Sequence, residues 1–453
     1  MAEMLENASK ITVRGIEKYA GSYRNNPVAL AATLALSKHS LSDISYDAIK
    51  AGSMNYTFSN EIQTMPVANQ ERSGRCWIFA GLNFLREIIG NRLNLEEFEL
   101  SQSYVAFWDK FEKINFFLES VTDMLDEDVD DRTLVWVLQT GIQDGGQWDM
   151  LANVIKKYGL VPKDAMPETF ATSNTNNMNG FINTKLREYC ARLRQIHGRG
   201  GSASELSAYK EDALNEMFAF LCMNMGCPPA EFDFEAVDKD KKYICDRGLT
   251  PLAFFDKYIG PVIDDYVSVI NAPTPAKPFD KTYTIRYLGN VVEGARIKYL
   301  NVRLPEFKAL ARKQMLNGEL IWFGSDCGRF GEKKTGIWDS GLYDYARSTG
   351  IGTYLTKGET LDYRESAMNH AMLFTAANFI DANTVNRWKI ENSWGDTHGK
   401  KGYFVCSDRW FDEYVYQLVI NKKYLGEQML EALKQEPIEL NPWDPMGSLA
   451  VLG

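Results

Sequence analysis

An α+β fold is what this sequence predicts, on two observations. Helical apolar periodicity dominates the first half, and short β-rich runs take over beyond Tyr258. At 453 residues the chain also exceeds what one ordinary core holds, so two or three packed units are expected. With 45% hydrophobic and 24% charged residues it is neither a disordered nor a fibrous chain.

Taken in order, residues 1–20 mix acids and bases with no apolar run, so a secretory leader is not expected. The apolar run "VALAATLAL" at 28–36 is too short to span a membrane. In "NQERSGRCWIFAGLNFLRE", residues 69–87, polar sequence gives way to Ile78, Leu82, Leu85 and Ile89 at helical spacing. That stripe predicts an amphipathic helix starting at Cys76 and stopping at Gly90-Asn91. Further helices are expected over 101–120 and 148–159. Residues 183–246 are charged and helix-like, broken by "GRGGS" and "GCPP", and suggest an inserted helical region. Strands are expected within 282–288, 319–324, 370–379, 387–394 and 402–407. The expected units are therefore an N-terminal helical segment (1–60), a helical part (61–180), a mostly helical insertion (181–270), a β part (271–435) and a C-terminal arm (436–453).

A net charge of −10 opposes binding to a phosphate backbone, so nucleic acid is not an expected partner. Seven scattered cysteines point to free thiols in a reducing cytoplasm. Cys222 and Cys227 lack a second Cys or His pair and read as packed thiols, so no metal site and no cofactor is expected.

Cys76 at a helix N-terminus is a candidate nucleophile, because free N–H groups and the helix dipole favour a thiolate there. A thiolate nucleophile needs an imidazole partner, and the chain has four histidines. His39, His197 and His398 lie in polar or glycine-rich settings and read as surface loops, whereas His370 opens an apolar strand-like run. A core histidine satisfied by its neighbours would look the same. Downstream, "KIENSWG" places Asn392 where its amide oxygen could hold the imidazole tautomer, with Trp394 sheltering that bond from water. Upstream, Gln70 could point a side-chain N–H at an oxyanion alongside the Cys76 backbone N–H.

"QERSGRCW", "NHAM" and "ENSWG", in that order, resemble papain-like cysteine peptidases. The wider set "DGGQWDM", "YLGNVV", "WFGSD", "LYDY" and "NPWDPMG" is similar to the bleomycin hydrolase family and its bacterial aminopeptidase C branch. This resemblance implies a papain-like fold with a helical left part and a β-barrel-like right part. It also implies a large helical insertion and a C-terminal arm lying in the cleft. It implies Cys76 as nucleophile, His370 as general base and acid, Asn392 as its orienter and Gln70 as oxyanion donor. Gly145, Gly146, Asn369, Trp394 and Ala450 are the residues it places against the substrate. Three departures from ordinary papain sequences stand out: Arg75 before the nucleophile, Ser73 in place of a disulfide cysteine, and roughly 150 extra residues between Cys76 and His370.

What the resemblance implies functionally is a cytoplasmic thiol aminopeptidase of broad specificity for short peptides, built as a hexameric ring. In the family the C-terminal arm blocks the cleft and its carboxylate receives the substrate amine. Here Val451, Leu452 and Gly453 extend past the family's usual end near Ala450, so trimming to about Ala450 is expected. A thiol endopeptidase or oligopeptidase on the same scaffold, or a catalytically silent peptide-binding protein, are the alternatives.

Overall fold

The computed structural model describes residues 10–452. Residues 1–9 of the expected leader-free segment, and Gly453 of the expected tail extension, lie outside the described residues.

The helix carrying the candidate thiol, α1 (Cys76–Leu93), is buried on nearly every side as far as Gly90. It is a central helix, packed on more faces than the one apolar stripe of the expected amphipathic helix. The reason is its position, wedged between a sheet and the helices α2 (Gln102–Thr122) and α3 (Trp148–Tyr158). It also runs past the expected stop and ends at Asn94, which takes the left-handed conformation at φ 55°. Gly90 does not end the helix. A Cβ there would collide with the methyl of Met65, so the glycine serves close packing.

Ser101 caps α2 by accepting the Tyr104 N–H at 3.0 Å. Two long helices, α4 (Asn176–Gly198) and α5 (Ala203–Met225), pack on each other and on α2. Part of the stretch read as helix-like is instead a β-hairpin, Phe232–Val237 paired with Tyr243–Leu249. Its "FDFEAV" alternates with period two, so Phe234 is buried against Phe254 and Tyr258 while its neighbours face water.

The β part is a twelve-stranded sheet among the described residues. At its centre lie β1 (Tyr266–Ile270), β2 (Ile321–Ser325), β3 (His370–Phe379), β4 (Val385–Glu391), β5 (Tyr403–Ser407) and β6 (Val415–Asn421). Their spatial order is β1-β6-β2-β3-β4-β5, every neighbouring pair antiparallel. Side chains of β3 alternate between two cores. Ala371 and Leu373 join the core that contains α1, whereas Met372 and Phe374 join the core on the other face. The sheet is thus buried on both faces, and α1 lies across one of them with its N-terminus beside the start of β3. No helix among the described residues is long and apolar enough to cross a membrane.

Candidate active site

Cys76 is the first residue of α1 and is 1% exposed. Arg75, at the cap position, supplies no side-chain cap, which leaves the first N–H groups of the helix free. The backbone N–H groups of Cys76 and Trp77 face the sulfur, and the Ala371 N–H donates to Sγ at 3.5 Å. Burial pushes the thiol up to about 11. The three N–H donors oppose that shift, and the nearby Asp144 charge adds to it.

The donor Ala371 is the residue after His370, so the junction of α1 and β3 sets the thiol against the residue that follows the imidazole in the chain. His370 Nε2 and Asn392 Oδ1 are 2.8 Å apart. The same amide atom accepts the backbone N–H of Ser393 at 2.8 Å, which identifies it as the oxygen. Nε2 therefore carries the proton, and in the neutral ring Nδ1 keeps its lone pair. Burial drives His370 down to about 4 against the Asn392 hydrogen bond, and the charge of Lys333 lowers it further. Trp394 stacks on the imidazole with centroids 4.9 Å apart and shields the Asn392 bond from water.

Gln70 is anchored at both ends of its amide. Its backbone N–H donates to Ser393 O at 2.8 Å, Oε1 accepts from Ser393 Oγ at 2.5 Å, and Nε2 donates to Ser73 O at 2.5 Å. The amide nitrogen has a second proton for an oxyanion. Asn369 has its side chain engaged elsewhere: Nδ2 donates to Asp326 Oδ1 at 2.7 Å and Oδ1 accepts the Cys327 N–H at 3.1 Å.

Sequence reasoning missed the group that ties these parts together. Asp144 is buried beside the glycine pair and accepts the Gly74 N–H at 2.9 Å, which fixes the loop leading into Cys76. It also accepts from Lys110 Nζ at 2.5 Å, from Asn179 at 2.8 Å and from Thr175. Although burial works to raise it, Lys110 and these hydrogen bonds hold its carboxyl well below the usual carboxylate range. Its backbone oxygen takes the Trp77 indole N–H at 2.6 Å. A legible signal existed, since "DGGQWDM" sets the carboxylate directly before the glycines, but the partner lysine on α2 is brought in only by packing. Arg75 is likewise buried, in a bidentate pair with Glu168 at 3.0 and 2.9 Å, so its long side chain leaves the cleft clear.

Farther along α1, Asn83 and Arg86 bind Glu391 at 2.9 and 3.1 Å, joining the helix to the residue before Asn392. Burial pushes the Glu391 carboxyl up to about 7.

Gly146 packs on Trp77, where a Cβ would strike the indole ring, and Gly145 packs on the chain's own tail. A Cβ at Gly145 would collide with the Leu449 carbonyl oxygen and crowd the Ala450 backbone. Leu449 and Ala450 are both buried there, and the tail is held by Ser448 Oγ donating to Met368 O at 2.5 Å. A buried Lys277–Asp444 pair at 2.8 Å and Arg132 stacked 3.8 Å over Trp443 add to that anchoring.

The other three histidines stay outside the site. His39 and His398 lie in exposed or half-buried loops. His197 is in the last turn of α4 rather than in a loop, 2.7 Å from Asp126.

A thiol at a helix N-terminus, beside an imidazole oriented by an amide oxygen, defines a papain-like thiol-peptidase site. The chain belongs to the Peptidase C1-like family, whose model matches residues 10–447. It is 43% identical to the Aminopeptidase C of Listeria innocua, with 98% of this chain and 100% of that relative covered. It is also 40% identical to human bleomycin hydrolase, over 91% of this chain and 92% of that protein. The crystal structure of PepW from "Lactobacillus rhamnosis" HN001 superposes with a TM-score of 0.95 at 44% identity, covering 97% of this chain and 99% of that one.

Proposed function

We propose that this thiol aminopeptidase acts through Cys76 as nucleophile, His370 as base and then acid, Asn392 as the orienter of the imidazole, and Gln70 as oxyanion donor. The observation that carries this reading is the convergence of the Ala371 N–H on Cys76 Sγ with the His370–Asn392 bond. Burial leaves the resting pair as thiol and neutral imidazole. As the substrate carbonyl binds, the Sγ proton passes to His370 Nδ1 and the sulfur attacks the carbonyl carbon. The oxyanion forms between the Cys76 N–H and the second proton of Gln70 Nε2. Collapse breaks the C–N bond while the imidazolium protonates the departing amine, leaving a thioester on Cys76. Water, deprotonated by the neutral imidazole, then hydrolyses the thioester and releases the N-terminal residue.

The register comes from the tail. Leu449 and Ala450 lie on Gly145 and close the acyl side of the cleft, which leaves room for a residue ending in a free amine. Aminoacyl-4-nitroanilides are expected to be cleaved, and their N-acetyl forms at least a hundredfold more slowly, about 2.7 kcal/mol. Gly145→Ala pushes the tail away and should raise the rate on acetylated substrates relative to free ones. An unchanged ratio, or equal cleavage of both substrates by the wild type, would favour the endopeptidase reading. The proposed trimming leaves a carboxylate at Ala450 beside Gly145. Intact-mass measurement of active enzyme is expected to show loss of the last three residues, and strong activity with an untrimmed chain would refute it.

The pH profile carries a further expectation. His370 works deprotonated and sits near 4, so the acid limb of kcat/KM should lie well below an ordinary histidine. The unfolded chain, with an ordinary imidazole, binds the extra proton between 6.5 and about 4, so the fold loses stability as pH falls through that window. Circular dichroism recorded at each pH separates the two effects. A limb at or above 6.5 in folded enzyme would contradict this environment for His370.

All seven cysteines are free thiols, which supports a cytoplasmic setting. The N-terminal helices Val13–Arg24 and Pro27–Leu36 expose Ile16, Tyr19 and Leu34, which supports self-association into the ring the family resemblance implies. Sedimentation of the full chain is the measurement that decides it.

A further inference from the structure

The reaction assigns the two sides of the cleft. The acyl part bound to Cys76 lies toward Gly145 and the tail, and the departing amine lies by the imidazole that protonates it. Beyond that imidazole stands Trp394, and Lys333 Nζ is 4.6 Å from the Trp394 ring centroid. The charge of Lys333 acts on His370 itself, disfavouring the imidazolium. A cation in that place opposes the base, so its presence calls for another use.

The segment carrying Lys333 is closed by hydrogen bonds. It sits in the tight turn between the strands Gly331–Glu332 and Ile337–Trp338, closed by the Gly336 N–H donating to Glu332 O at 2.9 Å. Trp338 anchors the hairpin to the site, donating to Cys327 O at 3.0 Å and lying edge-on to Trp394. Lys333 enters none of the ion pairs among the described residues. The adjoining carboxylate, Glu332, is engaged by the N–H groups of Lys334 and Thr335 at 3.0 and 2.7 Å.

We propose that Lys333 is a carboxylate-binding residue on the leaving side of the cleft, recognising the free C-terminal α-carboxylate of dipeptides and tripeptides. This rests on the roles given above to Cys76 and His370. A leaving portion of one or two residues keeps its carboxylate close to the departing nitrogen, because each residue adds only about 3.3–3.6 Å. Longer peptides carry theirs past the lysine. Lys333 thereby favours short substrates without touching the reacting atoms.

The test compares wild type, Lys333→Gln and Lys333→Arg on di- and trialanine with free or amidated C-termini, with alanyl-4-nitroanilide as a substrate that has no carboxylate. In the wild type, amidation is expected to raise KM roughly three- to tenfold, the range of a partly solvated ion pair, with kcat little changed. Lys333→Gln should raise KM on the free-carboxylate peptides to the amide level and show no further effect of amidation. Lys333→Arg should restore most of the difference, and because the lost charge also acts on His370, any change of rate on the anilide is the common baseline against which the amidation ratio of each enzyme is read. The proposal is overturned if the wild type is indifferent to amidation, or if Lys333→Gln keeps the full amidation penalty. A wild type inactive on the anilide would overturn the aminopeptidase reading, and this proposal with it.

Discussion

Replacing Cys76 by alanine is expected to lower kcat/KM on aminoacyl-4-nitroanilides by roughly ten-thousandfold or more, the scale seen when the nucleophile of a hydrolase is removed. His370→Ala should fall in the same range, because a thiol that burial holds near 11 cannot ionise at neutral pH without a local base. The double variant should be no worse than either single one, since the two residues act as a unit. Both side chains are almost fully buried, so circular dichroism must show that each variant folds. A folded Cys76→Ala enzyme with undiminished activity would point to a different nucleophile, and additive losses in the double variant would mean that the thiol and imidazole act separately.

Asp144→Ala is expected to produce the largest stability loss of any single change near the site. It strands the Lys110 ammonium, 2% exposed in its side chain, and leaves the N–H of Gly74 without its acceptor. Breaking a buried ion pair from one side costs about 3–5 kcal/mol. Thermal unfolding should show that loss, together with a fall in kcat as the loop before Cys76 loosens. Asp144→Asn offers a sharper readout. It keeps the shape and removes the negative charge that helps to raise the Cys76 thiol, so the pH at which iodoacetamide reacts with Cys76 should move down. A fold as stable as the wild type after Asp144→Ala would show that Asp144 is not the anchor its contacts suggest.

Much of the candidate site was legible because its chemistry demands rare residue types in strongly patterned surroundings. Cys76 at the onset of an apolar helix, His370 at the head of an apolar strand and Asn392 at the end of the next strand each stand at an element boundary. There the backbone changes direction and a side chain can be presented to a cleft. The glycines of "DGGQW" were legible for a related reason, since adjacent glycines mark a close approach of backbone. What they approach, the chain's own Leu449 and Ala450 for Gly145 and the Trp77 ring for Gly146, came only from the tertiary structure.

The misreadings have equally physical causes. The stripe of α1 looked like the single apolar face of an amphipathic helix because periodicity records which residues are apolar, and the remaining faces carry Asn83, Arg86 and Glu87, polar groups that find tertiary partners. The hairpin at 232–249 was absorbed into a helical stretch because its charged positions alternate with aromatics over only a few residues. There the two periods are hard to tell apart until Phe254 and Tyr258 supply a surface to pack on.

By itself, then, the sequence determined the α+β class and the candidate reacting groups in their chain order, because those follow from local periodicity and residue chemistry, while the roles of these groups were implied by the family resemblance. Only the tertiary structure decided that Lys110 reaches Asp144, that Ser393 orients both Gln70 and the Asn392 amide, and that Lys333 stands beside Trp394. Each of these depends on a contact between segments far apart in the chain, and such contacts are chosen by the packing of whole elements rather than by any stretch of sequence read alone.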